Sequence, residues 1–163
     1  MSGAKRVLLL GGIALALLGM TYGFWYAIFA EHQALEGIGA SLDRSFSAAA
    51  NRSPAQSADA MAQYRRAKYD YDRQVDAHSH WIGLSMVLIV MGIGFDHIRL
   101  SRKSKLLLAW ELLIGATLFP FGVLLQTVSQ GAVPKAVAVI GSGLVVLALA
   151  SAIAGFVRRP TMA

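Results

Sequence analysis

Cysteine is absent from this 163-residue sequence, so any metal or haem would have to be held by its four histidines and a few carboxylates. His32 stands four residues before Glu36 and next to Glu31, while Asp76 precedes His78 by two residues and His80 by four. A carboxylate one helical turn from an imidazole serves either as a further ligand or as the partner that fixes the ring's tautomer. The candidate metal ligands are therefore His32, His78 and His80, assisted by Glu36 and Asp76. Imidazole with carboxylate suits copper, zinc or iron. The same three histidines are the candidate cofactor ligands for a haem b. Geometry limits both sites. His78 and His80 lie about 200° apart on a regular helix, so one metal reaches both only across a distorted backbone. Helices in contact lie about 8–10 Å apart, so a macrocycle between facing histidines needs them splayed. The competing reading is structural: a histidine at a membrane boundary keeps one end apolar and the other wet.

His78-Ser79-His80-Trp81, entering an apolar segment that carries Gly83, resembles the His-x-His helix entry of nitric oxide reductase and haem–copper oxidase catalytic subunits. The resemblance covers a short stretch, the other ligand motifs of those subunits are absent, and no activity is carried over. Glu111 is a separate candidate, an intramembrane carboxylate that could pair with His97 or a nearby basic residue, or take part in proton transfer. Gln126 and Thr127 are candidates for a polar cluster with His80. Hydrolytic and group-transfer motifs are missing: there is no nucleophile elbow, phosphate-cradling glycine loop or His-Glu-x-x-His run.

The elements that must position these residues are read from hydropathy. With 56% hydrophobic residues in long runs, the composition is that of a membrane protein. The expected fold is all-α, a single membrane domain over 1–163. Its four transmembrane helices lie at about 7–29, 79–98, 106–130 and 137–157, because a span needs about 20 apolar residues. The first run is too long for the core of a signal peptide and lacks a small-x-small cleavage site, so it reads as an uncleaved anchor. Gly19-x-x-x-Gly23 invites close approach of another helix, and Pro120 is expected to kink the third span. The many small residues of the fourth suggest packing on more than one side.

Charge sets orientation. Lys5, Arg6, Arg99, Arg102, Lys103, Lys105, Arg158 and Arg159 fall on one side, opposed only by Asp96 and Glu111. The other side is balanced between basic and acidic residues. Both termini are therefore expected in the cytoplasm, in a bacterial inner membrane, and the net charge of +6 reflects topology rather than nucleic-acid binding.

Residues 30–78 then form the outer segment. Ile28, His32, Leu35, Gly39, Leu42, Phe46 and Ala49 follow heptad spacing, as do Met61, Tyr64, Lys68, Tyr71, Val75, His78 and Ile82. The expectation is that spans one and two continue outward as an antiparallel helical hairpin turning near 54–55. That register would bring His32 and His78 together at the outer surface. Two functions follow. The first is a non-catalytic accessory or binding subunit, whose partners are membrane lipid and other membrane-protein subunits or a second copy. The alternative is a haem- or metal-binding protein for electron transfer or metal handling at the outer face.

Overall fold

The computed structural model describes residues 1–157; Arg158 and Arg159, used above to read orientation, lie outside the described residues. Five α-helices follow one another: α1 (Gly3–Phe29), α2 (Glu31–Ala50), α3 (Pro54–Gly94), α4 (Arg102–Val128) and α5 (Ala132–Val157). A short 3-10 turn, Phe95–His97, ends α3. Four of these helices, all but α2, are long and apolar enough to cross a membrane.

Each boundary has a local cause. The Ser2 hydroxyl accepts from the Lys5 backbone N–H and starts α1; Ser101 does the same for Ser104 and α4. Between α1 and α2 only Ala30 leaves the helical conformation. Its N–H still reaches the Tyr26 carbonyl at 2.9 Å, and its own carbonyl accepts from Ala34 at 3.0 Å. The two helices thus follow each other with almost no loss of backbone hydrogen bonding. Asn51-Arg52-Ser53 makes the sharp reversal, with Arg52 in the left-handed region at φ 55°. Pro54 is the first residue of α3, where its missing N–H costs nothing.

α2 packs antiparallel on the first half of α3. Ser45 and Ser57 exchange hydrogen bonds of 3.0 and 3.2 Å through hydroxyl and carbonyl, Arg44 donates to Gln63, and the Tyr71 hydroxyl donates to Glu31. The contact face of α2 is Ala34, Ile38, Ser41, Ser45 and Ala48. This corrects the expected seam of Leu35, Gly39, Leu42, Phe46 and Ala49, which lies one residue round the helix. On α3 the face runs through Ser57, Ala60, Tyr64, Ala67, Tyr71, Gln74 and His78, so Ala60, Ala67 and Gln74 stand where Met61, Lys68 and Val75 were expected. Both chains of contact keep heptad spacing. Near the reversal the seam uses the small member of each adjacent pair, Ser41, Ser45 and Ala60 in place of Leu42, Phe46 and Met61, which lets the backbones come close enough for Ser45 and Ser57 to reach each other's main chain.

That closeness makes a prediction. Ser45, 3% exposed, has no room for a larger side chain. Ser45→Leu should lower stability by about 1–3 kcal/mol through overpacking, and Ser45→Ala by about 1 kcal/mol through the lost hydrogen bonds. Amide hydrogen exchange across α2 checks it; equal protection in Ser45→Leu and the parent would contradict the close seam.

Below this pair, α1, α3 and α4 surround a common core in which Leu8, Leu15, Trp81, Leu88, Phe95, Leu108 and Leu112 are buried. Glycines set the α1–α3 distance. A methyl group on Gly12 would meet Ile89 at 2.8 Å, and one on Gly19 would meet Trp81 at 3.0 Å. α4 continues through Pro120 as one helix. α5 packs mainly on α4, through Ala138, Gly141, Val145, Ala148 and Ala152 at heptad spacing, and Gly155 continues this face onto Ile98 and Leu100 of the segment before α4. Of the other small residues of α5, Ser151 and Ala154 line the cleft toward α4, while an added methyl on Gly143 would meet nothing within 4 Å. Large apolar side chains cover the outside of the bundle, as with Leu17, Val90, Leu107 and Ile153, each more than 60% exposed.

Candidate functional site

The three candidate histidines take three different partners. His78 sits on the seam and turns toward α1, where its Nδ1 donates to the Gly19 carbonyl at 2.9 Å. The carbonyl can only accept, so the proton is on Nδ1. The ring occupies the notch left by Gly23: a methyl group there would lie 2.3 Å from the ring carbon Cε1. Gly19-x-x-x-Gly23 therefore serves a histidine as much as a helix backbone. His80, two residues on, faces the other way and packs on Phe119 of α4, the ring centroids 4.6 Å apart and the planes tilted by 40°. The regular helix keeps the two rings on opposite sides, as the angle between them requires.

His32 is not brought to His78. Its side chain is 83% exposed, and its Nε2 lies 3.0 Å from Glu36 on the same helix. The register explains this. The reversal is centred on Arg52 rather than on 54–55, and Glu31 is already level with Tyr71, so His32 lies near residue 70 in height. Eight residues of helix, about 12 Å, separate that level from His78. Asp76 turns to Arg73 at 3.0 Å rather than to His80. Among the described residues no three histidine or carboxylate side chains converge in a way that could hold a metal ion.

The polar residues at the end of the bundle nearer α2 make a network of pairs. The Tyr22 hydroxyl bonds to Gln74, and the Tyr69 hydroxyl donates to Gln126 at 3.0 Å. Gln126, 8% exposed, also donates to the Gly122 carbonyl and so satisfies both ends of its amide. Tyr69 thus faces α4, whereas Tyr64 and Tyr71 lie on the α2–α3 seam. Gln126 joins Tyr69, and Thr127 turns back to the Leu124 carbonyl, so neither clusters with His80. Apolar spacing carries no signal for these links, because both partners are polar and far apart in sequence. On the seam itself, burial and the Glu31 carboxylate hold the Tyr71 phenol above its ordinary value of 10.0.

Two clefts accompany these groups. The larger, about 540 Å³, lies between α3 and the end of α4 and is lined by Arg65, Arg66, Tyr69, Asp70 and Ser129. Asp70 and the carbonyl end of α4 offset its two arginines, so it does not form an anion site. The other, about 310 Å³, lies between α4 and α5 at the opposite end and contains Glu111 with Ser104 and Ser151. Among the described residues Glu111 makes no ion pair with His97 or with a basic residue; His97 bonds to the Gly94 carbonyl instead. Lys5 and Asp96, 3.3 Å apart, join the start of α1 to the end of α3 at this level.

No protein-family model, curated protein or solved structure matches the chain. What it does must therefore be argued from these groups and from the surfaces around them.

Proposed function

We propose that the chain is a membrane-embedded, non-catalytic binding or accessory subunit that presents a helical hairpin outside the bilayer. In this reading α1, the second half of α3, α4 and α5 span a bacterial inner membrane. Both termini are cytoplasmic, on the side of the basic excess. α2 and the first half of α3 are the hairpin. The exposed leucines, valines and isoleucines of the bundle then face lipid, which an aqueous setting would leave in contact with water.

The observation that carries the reading is the outer face of α2. Two of its large apolar residues are turned away from α3, Leu35 at 47% exposed and Phe46 at 65%, with the half-buried Leu42 between them at heptad spacing, while Ile38 lies on the α3 side. A helix that buries serine and alanine while exposing leucine and phenylalanine has a second face built for a partner. His78 supports a structural role for the histidines, since its ring is already committed to Gly19 and Gly23. A haem or metal site would require that ring to leave its notch, and a Soret band or stoichiometric metal in the purified protein would establish one.

Topology is tested first. The chain has no native cysteine, so Asn51→Cys at the tip of the hairpin is a unique thiol. It should react with a membrane-impermeant maleimide in intact cells, whereas Ser101→Cys should react only after lysis. The reverse pattern would overturn the orientation. Purification in mild detergent tests the rest: a protein that runs alone as a monomer under every mild condition would count against a binding subunit.

A further inference from the structure

At the end of the bundle away from α2, two helices begin with the same construction. On α4 the exposed positions Lys103, Leu107, Trp110, Ile114, Thr117 and Phe121 alternate by four and three residues and so form one stripe down the helix. Thr117 returns its hydroxyl to the Leu113 carbonyl, so below Lys103 the stripe offers only apolar surface. On α1 the exposed Arg6, Leu10, Ile13, Leu17, Met20 and Phe24 repeat the pattern. Each stripe starts on a cation.

These cations are not spent inside the chain. Lys5 pairs with Asp96 and Lys105 reaches the Asp96 carbonyl, but Arg6, Arg102 and Lys103 make no ion pair among the described residues. Asp96 is the only acidic residue from 94 to 110. Glu111, eight residues and about 12 Å further along α4 than Lys103, stands in the cleft toward α5 and pairs with neither Arg102 nor Lys103. The positive end of a helix dipole favours an acidic residue in the first turn, yet neither α1 nor α4 has one. Both helix starts instead gather cations on an end that is already positive. What the arrangement lacks is an anion from outside the chain.

We infer that this end of the bundle selects anionic phospholipid: Arg102 and Lys103 hold the headgroup phosphate while the acyl chains run down the stripe past Leu107, Trp110 and Ile114. In the membrane-spanning reading proposed above, on which this rests, the stripes lie against lipid and their cations stand among the headgroups of the cytoplasmic leaflet. Guanidinium and ammonium groups donate to phosphate oxygens there while keeping their heads in water. A zwitterionic headgroup carries its own cation beside its phosphate and leaves the two adjacent side-chain charges unbalanced. Phosphatidylglycerol has a net negative charge and offsets them. The heights agree. Trp110 lies seven residues, about 10 Å, deeper than Lys103, at the upper acyl chains of a lipid whose phosphate is held by Lys103. The other end of α1 offers a contrast, since Trp25 is exposed there and no lysine or arginine stands between 7 and 43.

Fluorescence quenching by brominated lipids in reconstituted vesicles tests the proposal. Trp25→Phe leaves Trp110 as the lipid-exposed tryptophan, because Trp81 is buried. In mixtures of the two lipids, phosphatidylglycerol with dibrominated chains should win the place beside Trp110 about fivefold more readily than phosphatidylcholine with the same chains. Arg102→Gln with Lys103→Gln in that background should bring the two lipids level. Trp110→Phe in the parent chain makes Trp25 the reporter, and there the two should also be level. Equal quenching at Trp110, a preference that survives the double substitution, or the same preference at Trp25 would overturn the selection of anionic lipid and leave the membrane-spanning reading standing. If neither brominated lipid quenches Trp110, α4 does not lie against acyl chains and both fail.

Discussion

Gly141→Ala should be among the most damaging single-methyl changes in the chain, while Gly143→Ala, two residues away on the same helix, should be harmless. The methyl group of an alanine at 141 would lie 2.4 Å from the Phe119 backbone nitrogen and 2.7 Å from its Cα. No flexible side chain stands there to move aside, so the two helices must separate. Gly122 makes the reciprocal contact, its added methyl lying 2.3 Å from the Ala138 nitrogen. Separation would open the seam from Ala138 to Gly155 and strip the close contacts that hold α5, which has little other helical packing. The expected loss is about 3 kcal/mol, at the upper end for an overpacked methyl group. Gly143 has nothing within 4 Å of an added methyl, and alanine there should leave stability unchanged or raise it by up to about 1 kcal/mol through helix propensity. The SDS mole fraction at the midpoint of unfolding, followed by circular dichroism, measures both. Equal midpoints for the two variants would mean that α4 and α5 are not in backbone contact at Phe119.

Gly23→Ala should destabilise the joint between α1 and α3, and removing His78 should relieve it. The added methyl overlaps the imidazole, which must swing away and give up its bond to the Gly19 carbonyl. Displacement of a half-buried ring and loss of that bond together cost about 2 kcal/mol. His78→Ala alone loses the bond and leaves the notch empty, at about 1–2 kcal/mol. In the double variant the methyl occupies space the ring has vacated, so the two losses should fall short of additive by at least about 1 kcal/mol. The same SDS titration provides the cycle. Strict additivity would show that His78 does not lie in the Gly23 notch.

These glycines mark how much of the molecule can be read without coordinates. Four long apolar runs give four long apolar helices because span length and hydropathy are local properties. Gly19 and Gly23 are conspicuous at helical spacing, but nothing in the spacing says that a histidine fills the second. The seam between α2 and α3 was misread by one residue for a physical reason. Between Ser41 and Leu42, or Ser45 and Phe46, a search for apolar periodicity chooses the larger side chain. Closely packed helices choose the smaller one. That shift, with the reversal centred on Arg52, also separates His32 from His78, since their meeting depended on a symmetrical turn. Tyr69 with Gln126 and Tyr22 with Gln74 were illegible because each joins positions about 50 residues or more apart by polarity alone.

α3 runs from Pro54 to Gly94 without interruption. At about 1.5 Å per residue it is a single rod roughly 60 Å long. Its outer arm, to about His78, is longer than the arm beyond it, about 37 Å against about 24 Å. In the membrane orientation proposed above, a rod pivoting near His78 would work as an unequal lever, and a sideways excursion of the hairpin tip would reappear at Phe95 reversed in direction and reduced by about a third. The Lys5–Asp96 ion pair sits at that short end, where α1 would feel the movement first.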